Sequence, residues 1–202
     1  FVVGFSLGGN VLLKWLGETA TETSLSRGPR LDPIGEVGAQ TPIKAAVAVS
    51  VPFLLDESAK RLDQGFSRVY QWSLMRSMRN AVAEKRRRMK LPLKIEDLSA
   101  LRTFRDFDEH VTAVLHGFAG ADDYYNRSSS RQYLKGIQIP TLIVQSRDDP
   151  FMTDAVIPQD GELSPAIKLE LYDSGGHVGF IQGAWPWAPR CWLEGRILRH
   201  LD

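Results

Sequence analysis

Five residues near the start, Gly4-Phe5-Ser6-Leu7-Gly8, limit what this chain can fold into more than any other segment. They match the pattern G-x-S-x-G. Ahead of them Phe1-Val2-Val3 is β-rich, and behind them Val11, Leu12, Trp15 and Leu16 recur at helical spacing. The pattern predicts a strand that turns sharply into a helix, leaving the Ser6 hydroxyl clear of its own backbone. Glycine on both flanks removes the Cβ atoms that would clash in that turn. By average composition the bare pattern arises in about a tenth of chains this long. Its position between a strand and an amphipathic helix gives it weight. Gly17 is expected to end that helix.

Strand and helix signals then alternate. Thr19 to Pro42 is rich in Ser, Thr, Gly and Pro and reads as a long surface loop. Ala45 to Val49 is a continuous apolar run, which suits a strand buried on both faces of a parallel sheet. From about residue 53 to 130 the chain changes character. Leu62, Phe66, Val69, Tyr70, Met75 and Met78 recur at three- and four-residue intervals and predict a helical insert. A basic cluster, Lys85, Arg86, Arg87, Arg88 and Lys90, reads as a solvated helix end favoured by the dipole, more than as a contact for an anionic surface. Strands return at Thr141–Gln145 and Lys168–Tyr172, and Pro189 to Leu201 reads as a terminal helix. This order predicts an α/β fold, with a mostly parallel sheet, helices on both faces and the insert as a helical lid. A length of 202 residues suits one domain, and because the sequence opens inside a strand, 1–202 is expected to be the C-terminal part of it.

Serine is a poor nucleophile until a base takes its proton. Of four histidines, His110 and His116 fall in the insert and His200 lies on the terminal helix. His177 alone follows a strand, within Ser174-Gly175-Gly176-His177-Val178-Gly179-Phe180, a Gly-rich loop expected to be mobile. A carboxylate after the serine and before the histidine completes such a set. Asp148 and Asp149 both follow Thr141–Gln145. Asp149 precedes Pro150, whose ring holds the preceding residue extended, and is the preferred partner for the imidazole. Asp148 then becomes a turn residue or a support for its neighbour. Leu7 N–H, at the helix start, is a candidate oxyanion donor.

These residues, read with Gly65-Phe66-Ser67-Arg68-Val69-Tyr70, Asp148-Asp149-Pro150-Phe151-Met152 and Gly175-Gly176-His177-Val178-Gly179-Phe180, resemble the YheT-like α/β-hydrolases. Phe107-Asp108 with Thr112, and Asp122-Asp123-Tyr124-Tyr125, share the resemblance. It covers nearly all of the chain outside the Thr19–Pro42 loop. The resemblance implies a Ser-Asp-His ester hydrolase, with the three roles on Ser6, Asp149 and His177. Its implied substrates are small esters, acylglycerols or other lipid-like esters. Members of the family carry further strands and a Gly-containing oxyanion loop ahead of the elbow. This sequence opens inside a strand without Met, so an upstream segment is expected to complete the sheet and the oxyanion site.

Composition narrows the rest. A net charge of +1 gives no global attraction to nucleic acid, and no recognition motif accompanies the basic cluster. The single cysteine, Cys191, cannot form an intrachain disulfide and is expected buried beside Trp192. No signal peptide is visible, which favours a cytoplasmic location. No H-E-x-x-H or paired-Cys pattern calls for a metal, and no cofactor is expected. A thioesterase, amidase or acyltransferase on the same fold, and a non-catalytic binding module or inactive fragment of it, are the alternatives the sequence leaves open. Membrane association is not legible in it.

Overall fold

Four short strands form one sheet in the order β1-β2-β3-β4, every neighbouring pair parallel. They are β1 (Val2–Phe5), β2 (Ala46–Val49), β3 (Thr141–Ser146) and β4 (Ile167–Tyr172). The structure is a computed structural model that describes residues 1–22, 42–182 and 190–202. Residues 23–41 of the expected loop, and Pro189, lie outside the described residues.

β2 and β3 are buried along their whole length, as the apolar run of β2 and the apolar centre of β3, Leu142-Ile143-Val144, require. The period of two in β2 divides its side chains between two cores. Ala46 and Ala48 face Leu12, Leu13 and Leu16 of helix α1 (Leu7–Glu22). Val47 and Val49 face Leu193 and Ile197 of helix α7 (Trp192–Leu201). Small residues on one side and branched ones on the other thus set two layers against one sheet. Burying each such Val, Leu or Ile contributes roughly 1.5–3 kcal/mol.

Helix α1 does not stop at Gly17 but continues to Glu22. A Cβ on Gly17 would meet the Tyr133 carbonyl oxygen at 2.2 Å. The glycine serves close packing of α1 on the 3₁₀ segment Ser130–Gly136, and its helix-breaking tendency is overridden by that contact. Buried Asn10 ties the same seam, its Oδ1 accepting the Ser130 amide at 2.9 Å. Two further short strands, β5 (Ile181–Gln182) and β6 (Arg190–Cys191), pair antiparallel. Cys191 lies there, directly before α7, and is exposed where burial was expected. Its side chain sits outside the apolar face that α7 presents through Leu193 and Ile197.

The described residues divide into two compact units. The sheet unit comprises Phe1–Phe53, Ser129–Asp149 and Ile157–Asp202. The helical unit comprises Leu54–Ser128 and Pro150–Val156. Within the latter run α2 (Leu55–Leu62), the long α3 (Ser67–Arg88), the short turns α4 (Phe104–Phe107) and α5 (Ala113–His116) flanking a π-turn at Asp108–Thr112, and α6 (Ala121–Ser128). Asp108 is buried there, accepting hydroxyl hydrogen bonds from Tyr125 at 2.8 Å and Thr112 at 2.7 Å. Burial raises its carboxyl above the ordinary range, and the two hydroxyls oppose that rise.

The periodicity in α3 needs correction in detail. Met75 is buried, but Phe66, Val69 and Tyr70 are exposed. The packed face runs instead through Ser67, Gln71, Met75 and Val82. Gln71 satisfies both ends of its amide there, donating to Asp63 Oδ1 at 2.7 Å and accepting the Phe104 amide at 3.2 Å. A polar residue with filled hydrogen-bonding capacity can occupy a core position, which hydrophobic periodicity does not register. Among the described residues no helix is long and apolar enough to cross a membrane.

Candidate active site

Three strand ends of the sheet unit supply the site. At the end of β1, Ser6 takes a left-handed backbone with φ 50°, uncommon for a residue with a Cβ. The surroundings hold it. Its amide donates to Val49 O at 2.8 Å, and its carbonyl accepts the Gly9 and Asn10 amides at 3.0 and 3.2 Å, opening α1. A Cβ on Gly4 would lie 2.6 Å from Gly8 O, and one on Gly9 would lie 2.8 Å from Val51 Cγ2. Gly8 meets nothing within 4 Å. The steric need therefore falls on Gly4 and Gly9, not on both flanks of the G-x-S-x-G pattern. Leu7 begins α1, so its N–H is one of the first-turn amides that have no intrahelical acceptor.

At the end of β3 the chain turns through Arg147, Asp148 and Asp149. The turn places the two carboxylates differently. Asp149 is buried, with its side chain 1% exposed, and its Oδ2 lies 2.8 Å from His177 Nδ1. Asp148 points elsewhere. Its Oδ1 accepts the amides of Gly175 at 2.9 Å and Gly176 at 2.8 Å, as well as the Ser146 hydroxyl. The Ser146 hydrogen bond is the main cause that lowers the Asp148 carboxyl below its ordinary range, with the two loop amides adding to it.

Beyond β4 the loop carrying His177 is tied at both sides. This differs from the mobile loop that its glycines suggest. Asp148 holds its start, and buried Ser50 accepts the Val178 amide on its Oγ at 3.1 Å. Gly175 O accepts the Phe180 amide at 2.8 Å, closing a turn in which Gly176, Val178 and Phe180 all have positive φ. Phe180 itself is buried against Tyr172 and Trp192, with centroids 6.0 Å away in both cases. The glycines permit the backbone shape, and the hydrogen bonds and the ring then hold it.

The imidazole stands between the other two groups. Its Nε2 lies 3.0 Å from Ser6 Oγ. With Asp149 accepting from Nδ1–H, Nε2 is free to accept the Ser6 hydroxyl proton. The structure thus brings Ser6, Asp149 and His177 together in one chain of two hydrogen bonds. Asp148 is left beside them as a loop anchor, and the Leu7 amide adjoins the serine.

The other histidines are not part of this cluster; His110 and His116 are exposed. Ser50 is the participant that sequence reasoning missed. It follows β2 as Ser6 follows β1, with the same left-handed backbone, φ 51°. Its only sequence signal is a small polar residue directly after a buried strand. Among the described residues no three His, Cys, Asp or Glu side chains gather as metal ligands would.

Comparison with known proteins adds a lineage. Residues 1–184 match the family model described as "alpha/beta hydrolase fold". The chain is 39% identical over 197 residues to "Putative esterase YheT" of Escherichia coli (strain K12), covering 96% of this chain and 52% of that protein. It is 29% identical to "Phospholipase ABHD3" of Bos taurus, covering 91% of this chain and 41% of that one. It is 26% identical to "Monoacylglycerol lipase ABHD2" of Homo sapiens, covering 100% of this chain and 47% of that one. The chain spans about half the length of the curated relatives it matches.

Proposed function

Because the chain belongs to the alpha/beta hydrolase fold family, we propose that it is the part of a serine hydrolase that carries Ser6, Asp149 and His177 as its catalytic set. The observation that carries this is the imidazole lying 3.0 Å from the serine hydroxyl and 2.8 Å from the buried carboxylate. That geometry suits general-base activation of an alcohol.

In this mechanism Ser6 Oγ attacks an ester carbonyl while His177 Nε2 takes the hydroxyl proton. Asp149 keeps the imidazole in the tautomer that can accept it and stabilises the imidazolium that results. The Leu7 amide donates to the oxyanion of the tetrahedral intermediate. The intermediate collapses by breaking the carbonyl carbon–alkoxide bond, and the imidazolium gives its proton to the departing alcohol. Water, deprotonated by His177, then attacks the acyl-serine and releases the acid, regenerating the Ser6 hydroxyl.

Carboxylic esters of lipid type are the substrate class we assign. Relatives named as an esterase, a phospholipase and a monoacylglycerol lipase support that choice. A lid role for the helical segment between β2 and β3 belongs to the same proposal. A fluorophosphonate probe tests the reading directly. Labelling of the wild type, its loss in Ser6→Ala and strong slowing in His177→Ala are expected. Folded wild-type protein that takes up no probe contradicts the assignment.

A further inference from the structure

The chemistry proposed above makes no use of the outer face of α3. That helix carries seven basic residues against one acid, Glu84, in a chain whose net charge is only +1. Its C-terminal cluster is partly spent. Arg87 and Arg88 pair with Glu84, and Arg86 donates to the carbonyls of Glu96 and Ile95. The arginines further toward its start are different.

A cleft of about 340 Å³ within the helical unit is lined by Arg68, Trp72, Met75, Arg79, Ser99 and Arg102, together with Gln71. No acid lines it. Met75 is buried, while Trp72 is 59% exposed. Arg79 is held in place, its Nη1 donating to Leu101 O at 3.2 Å and Ser99 O at 3.4 Å. Asp97, the carboxylate whose charge Arg79 meets, is itself engaged by the Ser99 amide and hydroxyl at 2.8 and 2.7 Å. Among the described residues no carboxylate forms an ion pair with Arg68 or Arg102, and both are exposed.

Exposed apolar side chains continue from Trp72 at three-residue spacing: Val69 on the same helix is 55% exposed, and Phe66, just before it, is 73% exposed. Arg68 and Trp72 are four residues apart and share a helix face, and the Arg76 guanidinium lies 5.9 Å from the Trp72 ring centroid. Guanidinium donors suit the oxygens of a phosphodiester. Exposed Trp, Phe and Val beside them gain by entering the boundary between headgroups and acyl chains. Nucleic acid would satisfy the arginines but leave Phe66 and Val69 in water.

From this combination we propose that the Arg68–Trp72–Arg79–Arg102 cleft and its apolar rim dock the protein on an anionic phospholipid surface, with a lipid phosphate in the cleft. The docking stands on residues outside the serine site and does not depend on the hydrolase assignment. Co-sedimentation with vesicles tests it, using the full chain as the Ser6→Ala variant so that no lipid is consumed. Vesicles containing phosphatidylserine are expected to pellet the protein, vesicles of phosphatidylcholine alone to pellet far less, and added salt to release it. Each basic residue near an anionic surface is worth a factor of about five in partitioning, so Arg68→Gln with Arg102→Gln should lower binding more than tenfold. Trp72→Ala should weaken binding without changing the circular dichroism spectrum. Equal binding to both vesicle types, an unaffected double variant, or capture of a duplex oligonucleotide in place of vesicles overturns the proposal. Loss of probe labelling in the wild type with lipid binding intact would instead strike the serine chemistry alone.

Discussion

Ser50, at the left-handed end of β2, accepts on its hydroxyl the amide of Val178, the residue that follows His177. The sheet thereby holds the loop just after His177, as Asp148 holds it just before. Ser50→Ala leaves a partly buried amide without its acceptor, a cost of at most about 1–3 kcal/mol. If half of that falls on the positioning of His177, ester hydrolysis drops by about threefold to tenfold. The effect should appear in kcat, with KM little changed, and in slower fluorophosphonate labelling. A labelling rate equal to wild type would detach Ser50 from the site.

The paired aspartates separate two kinds of contribution. Asp149→Asn removes the charge that stabilises the imidazolium and permits the wrong tautomer, for which a loss on the order of 10³–10⁴ in kcat is expected. Asp148→Asn keeps an oxygen for the loop amides and should cost about tenfold or less. Hydrolysis of a chromogenic ester measures both. Equal losses would mean that Asp148 acts on more than the loop.

The three residues that meet at this site were legible because each follows a strand signal: the β-rich Phe1-Val2-Val3 before Ser6, the β-branched Thr141–Gln145 before Asp149 and the alternating Lys168–Tyr172 before His177. Ser6 adds a local pattern, and Asp149 adds the proline after it. Ser50 was not legible, because its role exists only through a contact 128 positions away. Gly17 misled for a related reason. In isolation it ends helices, and only the approach of Tyr133 shows what it is for. Phe66 and Val69 have core-like spacing on a face that the helical unit leaves exposed, and periodicity does not say which stripe is covered.

The glycines of the elbow should respond unequally. A Cβ on Gly4 meets backbone at 2.6 Å, so Gly4→Ala is expected to destabilise by about 1–3 kcal/mol and to disturb labelling. Gly8→Ala places its methyl in open space within α1 and should hold or raise the melting temperature, since alanine is favoured over glycine in helices by about 1 kcal/mol. Gly17→Ala, at 2.2 Å from the Tyr133 carbonyl, should lower the melting temperature without a specific effect on the serine. Thermal unfolding of the three variants checks the order.

Acid stability should depend on Glu170. Its pairing with Arg196, at 2.7 and 2.8 Å, is the largest cause that lowers its carboxyl from 4.5 to about 2. A folded-state value below the unfolded one means that the contribution is complete above pH 4.5 and is lost as pH falls toward 2. With both side chains about 15% exposed, the contribution is at most about 3 kcal/mol. Glu170→Gln should therefore lower stability at pH 7 and flatten the decline between pH 4.5 and 2. Urea midpoints across that range give the comparison.

Parallel pairing also makes the serine–imidazole contact a gauge of how the chain is threaded. Ser6, Asp149 and His177 ride on three strands whose partners are set residue by residue, Phe5 against Val49, Val49 against Val144, Ser146 against Tyr172. A misthreading of two residues at any of these seams would carry one group along its strand by roughly 7 Å. No imidazole could bridge that gap. A reagent that reacts only with the assembled pair would count correctly threaded molecules and ignore equally dense impostors.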